Sequence, residues 1–204
     1  MKKLCIILVI LLAIGTPATA QKFQVGLRLG INAVDFSLPK TTFNDCHIVG
    51  RDTKIGFETA LLSRLNITRH LHLQIEFEYC RSGYQVQYVT PMSKRGIKLH
   101  TNRIELPLML GVNIGPVRLF GGTFIRLSHN EKSNSPNLVR IRFNDSDVGY
   151  MAGVGFRIRK FFIETRISGY PRRIIKGRVE SQGDSQRVRI GRHIRYSLST
   201  GILF

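Results

Sequence analysis

Two carboxylates, Glu76 and Glu78, stand two positions apart in a stretch whose residues alternate between apolar and polar. Period-two alternation is typical of a β-strand with one apolar face, so both carboxylates share the opposite face. Other alternating stretches carry ionisable residues on their polar faces: Arg28, Glu58, Arg103, Glu105, Arg118, Glu164 and Arg166. Glutamates and arginines gathered on polar faces can form ion pairs or line a path for anions.

Eight stretches alternate in this way, and the connections between them are alternately long and short. The predicted strands are Phe23–Ile31, Ile55–Ile67, Leu71–Tyr88, Leu99–Ile114, Val117–Leu127, Val148–Ile158, Phe161–Tyr170 and His193–Phe204. The predicted long connections are Asn32–Lys54, Val89–Lys98, Ser128–Asp147 and Pro171–Arg192. A change of phase predicts a β-bulge at Gly83. Pro107 cannot donate to a ladder, so we expect an irregularity there.

This pattern predicts an all-β fold, an eight-stranded antiparallel up-and-down transmembrane barrel. Four long loops would be extracellular and three short turns periplasmic. No stretch after the N-terminus is apolar for long enough to span a bilayer as a helix. The alternative is a soluble eight-stranded barrel of the lipocalin type, which would turn its apolar faces inward. The charged residues on the smaller faces favour the membrane barrel.

The N-terminus indicates export. Lys2 and Lys3 precede a short apolar run, and Ala18-Thr19-Ala20 has the form of a cleavage site, so residues 1–20 are predicted to be a signal peptide. Residues 21–204 are then one outer-membrane β-barrel domain. Cys5 lies at the start of the apolar run and not at the predicted cleavage site, which argues against a lipoprotein anchor.

The charged faces permit two interpretations. An eight-stranded barrel is just wide enough for its own side chains. A salt-bridged polar plug is therefore favoured, in which Glu76, Glu78 and Glu105 pair with arginines such as Arg28, Arg103 or Arg118. A narrow arginine-lined anion path is the alternative.

Several stretches resemble small bacterial outer-membrane β-barrel domains of the PorT-like family, which are related in shape to OmpX and the OmpA barrel. They are "FQVGLRLGIN", "LHLQIEFEYCRSGY", "IELPLMLGVNIGPVRLFGG" and "VGYMAGVGFRIRKFFIETRISGY". The last strand resembles the assembly signal of such barrels, with a terminal Phe204 and with Tyr196 further back. The resemblance implies an integral outer-membrane location, recognition by the barrel assembly machinery and, for PorT itself, a role in type IX protein secretion.

Two cysteines remain after the predicted cleavage, Cys46 and Cys80. A disulfide between them suits an oxidising compartment, and two free thiols are the alternative. No residues have the spacing of zinc ligands, and the sequence predicts no metal and no cofactor.

The net charge is +18, or +16 without Lys2 and Lys3. Part of the surplus lies in the predicted loop Pro171–Arg192, which contains Arg172, Arg173, Lys176 and Arg178. In a soluble protein such a charge indicates nucleic acid, but export argues against that partner. We expect lipopolysaccharide, lipid head groups or a partner protein to bind this loop. A merely solvated loop is the alternative.

An enzyme is a further class of function. Some small barrels modify lipid A with serine and histidine near the outer rim, where this chain has Ser128, His129, His100 and His193. Their spacing does not distinguish them from ordinary loop residues. The sequence therefore favours a non-enzymatic barrel with a structural or binding role at the cell surface. A secretion component and a lipid A-modifying enzyme are the alternatives.

Overall fold

The computed structural model describes residues 23–36, 41–43, 46–89, 94–133, 140–144, 148–171, 175–181, 184–190 and 193–204. The predicted signal peptide, Arg172 and Arg173 lie outside these residues. The described part of the chain has no helix with the length and hydropathy needed to cross a membrane.

The described chain is built of β-strands. They are β1 Phe23–Phe36, β2 Thr41–Phe43, β3 Cys46–Asn66, β4 Leu71–Val89, β5 Lys94–Ile114, β6 Val117–Ser133, β7 Arg140–Asn144, β8 Val148–Ile158, β9 Phe161–Gly169, β10 Ile175–Ser181, β11 Asp184–Ile190 and β12 His193–Leu203.

Eight of these strands close into an antiparallel barrel in the order β1-β12-β9-β8-β6-β5-β4-β3. Closure comes from β1, which pairs with β12 on one side and with β3 on the other. Arg28, for example, lies opposite Gly201 on β12 and Ala60 on β3. The predicted eight-stranded barrel is therefore confirmed. Closure leaves no unpaired edge in the membrane, where an unpaired backbone group costs several kcal/mol.

The two faces of the wall have opposite character. Leu29 is 63% exposed on the outside, whereas its neighbour Arg28 is 0% exposed inside the lumen. The same alternation runs along β9, where exposed and buried residues follow one another. A lipid bilayer is the solvent for such an outer face, so the soluble lipocalin-type alternative is wrong.

One end of the barrel has the short connections: residues 67–70, Gly115-Pro116 and Arg159-Lys160. Gly115 and Arg159 have φ values of 60° and 55°, the left-handed conformation of tight turns. Phe23 and Leu203 lie at the same end, since Gly26 pairs with Leu203. In outer-membrane barrels this is the periplasmic end.

Strands extend into all four predicted long loops. β1 continues to Phe36, β3 begins at Cys46, β5 begins at Lys94 and β6 continues to Ser133. Strands β7, β10 and β11 form a separate three-stranded sheet with β10 in the middle. The predicted loop boundaries were wrong because polar, charged residues there obscured the membrane-type alternation, while backbone pairing continued.

The predicted bulge at Gly83 is also misplaced. Gly83 pairs regularly with His100 on β5. On its other side, Lys54 pairs with Gly83 and Phe57 pairs with Arg81, so the register shift lies next to Gly83 but the extra residue is on β3. Gly56 allows it, because a Cβ there would overlap the carbonyl oxygen of Arg81. The irregularity expected at Pro107 is displaced: Pro107 pairs with Phe124, and the β5–β6 register shifts between Ile104 and Glu105.

Candidate functional site

Arg28 is the hub of a buried ion-pair network in the lumen. Its guanidinium pairs with Glu58, with Glu76 at 3.1 Å and with Glu78 at 2.6 Å, and its Nε lies 3.7 Å from Glu164. These carboxylates come from three strands, β3, β4 and β9. A buried charge is tolerable when it is paired and hydrogen-bonded, and four surrounding carboxylates satisfy that condition for Arg28.

Arg166 on β9 is the second hub. It donates two hydrogen bonds to Glu76, of 2.8 Å and 2.6 Å, in a two-pronged arrangement. It also pairs with Glu164, which accepts from Arg118 on β6 as well. Planar, two-pronged arginine–carboxylate contacts are the strongest of the charge-assisted hydrogen bonds. Glu76 therefore joins Arg28 to Arg166 across the lumen.

A third group of contacts lies nearer the long-loop end. Arg195 donates to Glu105 at 2.8 Å and to the Ser168 hydroxyl at 3.1 Å, and it lies 3.1 Å from Glu78. Arg103 lies 3.7 Å from Glu105. All nine residues of the predicted lumen set thus lie buried inside the barrel. Strand phase also predicts that Arg64 and Arg195 face inward, and both are buried in the lumen.

An apolar cluster occupies another part of the lumen. Met109, Phe120, Phe124, Met151 and Tyr170 are buried together there. Arginines border this cluster: the guanidinium carbon of Arg118 lies 4.4 Å from the centre of the Phe120 ring. Cation–π contacts of this kind stabilise a desolvated guanidinium. The lumen is thus filled partly by charges and partly by rings.

Glu58, Glu78 and Cys80 place one potential metal-ligand atom each within 4.8 Å of one another. Arg28 already pairs with both carboxylates. A bound cation would have to compete with this guanidinium, so the geometry favours the ion pair.

Cys80 is a free, buried thiol. Asn32 Nδ2 lies 3.5 Å from its sulfur. Cys80 pairs in register with Glu58, twelve residues along β3 from Cys46. The register therefore places the two cysteines twelve β3 positions apart along the barrel wall.

The rim residues considered for catalysis are spread along three strands. Ser128 lies opposite Ile104, and His129 lies opposite Arg103. His100 lies opposite Gly83 on β4, four positions along β5 from Ile104. His193 begins β12. The register therefore separates Ser128 from His100 along the wall.

The basic loop contains an ordered element. Strand β10 carries Lys176 and Arg178 and lies between β7 and β11. In the strand register, Arg178 lies opposite Arg142 on β7 and opposite Arg187 on β11. Lys176 lies opposite Arg189 on β11 in the same register.

The two residues of the predicted assembly signal lie in β12 and directly after it. Tyr196 and Phe204 lie on the lipid-facing side, 47% and 62% exposed. The amide of Phe204 donates to the carbonyl of Val25 at 2.8 Å, so this residue is joined to β1.

Comparison with solved structures finds other outer-membrane barrels. OprG of Pseudomonas aeruginosa has a TM-score of 0.54 and 12% identity, covering 90% of this chain and 96% of its own. OmpW of Escherichia coli has a TM-score of 0.38 and 12% identity, covering 90% and 98%. The Escherichia coli outer-membrane protease OmpT has a TM-score of 0.40 and 10% identity, covering 91% and 98%. The likeness to OprG shows a shared fold.

No curated protein matches this chain in sequence. Residues 19–168 match the family described as outer membrane protein beta-barrel domain. This match covers most of the chain and agrees with the closed barrel and its lipid-facing exterior. The chain therefore belongs to the outer-membrane protein β-barrel domain family and lies in the outer membrane.

Proposed function

We propose that this protein is a plugged barrel that binds phosphate-bearing glycolipid, of the lipopolysaccharide type, through the three-stranded sheet of β7, β10 and β11. The observation that carries the proposal is one register row, in which Arg142, Arg178 and Arg187 are directly opposed across three strands. Lys176 and Arg189 form a second row two positions away.

This row of three arginines is unfavourable without an anionic ligand, because like charges repel one another. Directly opposed residues of antiparallel strands share a face, with Cβ atoms about 4.5–5.5 Å apart, and like charges there are destabilising. Three cationic positions within about 10 Å offer contacts to several phosphates of one glycolipid surface. The intervening positions are Ile141, Phe143, Val179 and Val188, together with Gly177 and the polar Gln186. The register therefore brings Arg142, Arg178 and Arg187 to adjacent positions of the three strands.

The location of the sheet supports this choice of ligand. β10 and β11 lie between β9 and β12, and β7 lies between β6 and β8, so all three belong to the long connections. Long connections of outer-membrane barrels face the cell exterior, where the leaflet carries phosphate groups. The filled lumen supports a binding role over a channel, because its ion pairs and rings occupy the space that a solute would need.

The test uses the triple variant Arg142→Gln, Arg178→Gln and Arg187→Gln in detergent-solubilised protein. Each cation near an anionic surface contributes about 1 kcal/mol, so lipopolysaccharide affinity should fall on the order of 100-fold if all three contact it. The dependence of affinity on salt should also become shallower, because fewer exposed charges are screened.

The matched control removes three cations from the opposite end, through Arg69→Gln, Arg159→Gln and Lys160→Gln. This control should bind like the wild type. An unchanged affinity and salt slope in the first variant would overturn the proposal. Co-purification of a large protein through the same arginines, without lipopolysaccharide binding, would favour the secretion-component alternative.

A further inference from the structure

The buried charges of the lumen do not balance among the described residues. Six buried arginines face five buried glutamates, and each glutamate lies within 4.0 Å of an arginine nitrogen. Among the described side chains, Arg64 has no carboxylate within that distance, although it is only 1% exposed. A buried charge without an opposite partner is costly, and this cost calls for a compensating group.

The groups next to Arg64 add to the free-energy cost of burying its charge. Its Nε donates to Gln74 Oε1 at 2.8 Å, and Arg118 Nη1 donates to the same oxygen at 2.7 Å. Two guanidinium groups thus converge on one neutral acceptor. The Nη2 of Arg64 is buried without a hydrogen-bond partner in the described structure. This unused donor marks a place where an acceptor is expected.

His72 supplies a second unpartnered group. It is 0% exposed, and neither ring nitrogen has a hydrogen-bond partner in the described structure. In the register of β3 and β4, Arg64 lies opposite Gln74 and Asn66 lies opposite His72. His72 is therefore the diagonal neighbour of Arg64 on the lumen wall. Diagonal neighbours on one face of a sheet are within reach of long side chains. Two buried polar groups with unused nitrogens therefore adjoin.

The surroundings restrict the size of a ligand and its route of entry. The guanidinium of Arg64 lies 5.8 Å from the ring centre of Phe162, which packs with Leu62 and Leu203 in an apolar cluster. This enclosure suits an ion of one or a few atoms. His72 follows the short turn at residues 67–70, so the group lies near the periplasmic end.

We propose that Arg64, His72 and Arg118 form a binding site for one small monovalent inorganic anion, of which chloride is the simplest. The anion offsets the unpaired guanidinium and accepts from Arg64 Nη2 and from the N–H of His72. The lumen then holds equal numbers of positive and negative charges among its buried groups. This site is independent of the glycolipid surface at the other end of the barrel.

The test uses bromide as the probe. Crystals of the detergent-solubilised full chain grown in sodium bromide should show an anomalous peak beside Arg64 Nη2 and His72, and crystals of Arg64→Met should lack it. Water alone at this position in the wild type, or the same bromide peak in Arg64→Met, would overturn the site.

A solution measurement covers variants that do not crystallise. The thermal midpoint of the wild type should rise with bromide and saturate at constant ionic strength, with gluconate as the balancing anion. In Arg64→Met the half-saturating bromide concentration should increase at least tenfold, and without bromide this variant should be at least as stable as the wild type. Lys160→Gln, at an exposed turn, is the control and should respond like the wild type. His72→Phe serves as the second variant should Arg64→Met not fold. Equal bromide responses in wild type and site variant would contradict the proposal.

Discussion

The ring of Phe124 lies directly over Gly149, the residue that opposes it on the neighbouring strand. Phe120 has the same relationship to Gly153, and Phe162 to Gly201. Each glycine leaves room for a ring inside a barrel that is only just wide enough for its own side chains. The lumen of this protein is thus packed by pairing large residues with glycines across the strands.

This packing predicts that Gly149→Ala destabilises the barrel. The new methyl group would overlap the ring of Phe124 and lie 2.7 Å from the carbonyl oxygen of Gly169. Overpacking of this kind costs about 1–3 kcal/mol. Urea unfolding in micelles would measure it. Gly121→Ala is the matched control, because its nearest contact would be 3.6 Å away. Equal stabilities of the two variants would contradict the packing argument.

The second prediction concerns the ion pair of Glu76 and Arg166. Glu76→Gln removes the charge that faces both Arg166 and Arg28. Loss of one partner of a buried pair costs about 3–5 kcal/mol, and water in the lumen would reduce this cost. The double variant Glu76→Gln with Arg166→Gln should recover part of the loss. A double-mutant cycle from urea unfolding tests this coupling, and additive effects would show that the two residues act independently.

The inward direction of the charged residues could be predicted from strand phase alone. Their partners could not, because pairing across a lumen depends on the tilt and stagger of the strands. Arg118 was expected beside Glu76, Glu78 or Glu105, but its carboxylate partner is Glu164. Arg166 contacts Glu76 although ninety residues separate them in the chain.

The three-stranded outer sheet shows why the predicted loops were too long. Ile175–Ser181 does alternate, with Lys176 and Arg178 between apolar or small residues, and in Asp184–Ile190 Val188 lies between Arg187 and Arg189. Clustered charge is usually a sign of a solvated connection, so the sequence predicts a loop here. Outside the bilayer a sheet has no lipid face, and the apolar alternation that identifies membrane strands is weaker there.

The third prediction concerns the reactivity of Cys80. Its side chain is 0% exposed inside the lumen. In the variant Cys46→Ser, a maleimide reagent should leave the folded barrel unlabelled and react after unfolding in urea, as mass spectrometry would show. Rapid labelling of the folded variant would mean that the lumen is open to small solutes. The double variant Cys46→Ser with Cys80→Ser is the negative control for labelling.

The last prediction concerns Phe204. Its amide is bonded to the carbonyl of Val25, and its side chain is 62% exposed to lipid. Deletion of Phe204 removes both its bond to β1 and the aromatic residue of the predicted assembly signal. We expect less folded barrel in the outer membrane, measured as the heat-modifiable band in gels. Phe161→Ala is the control, because Phe161 is 63% exposed on the same outer surface but lies at a turn between strands. If both changes lower the folded amount equally, the effect comes from lost lipid contact. A loss confined to the Phe204 deletion places the assembly signal at the end of β12.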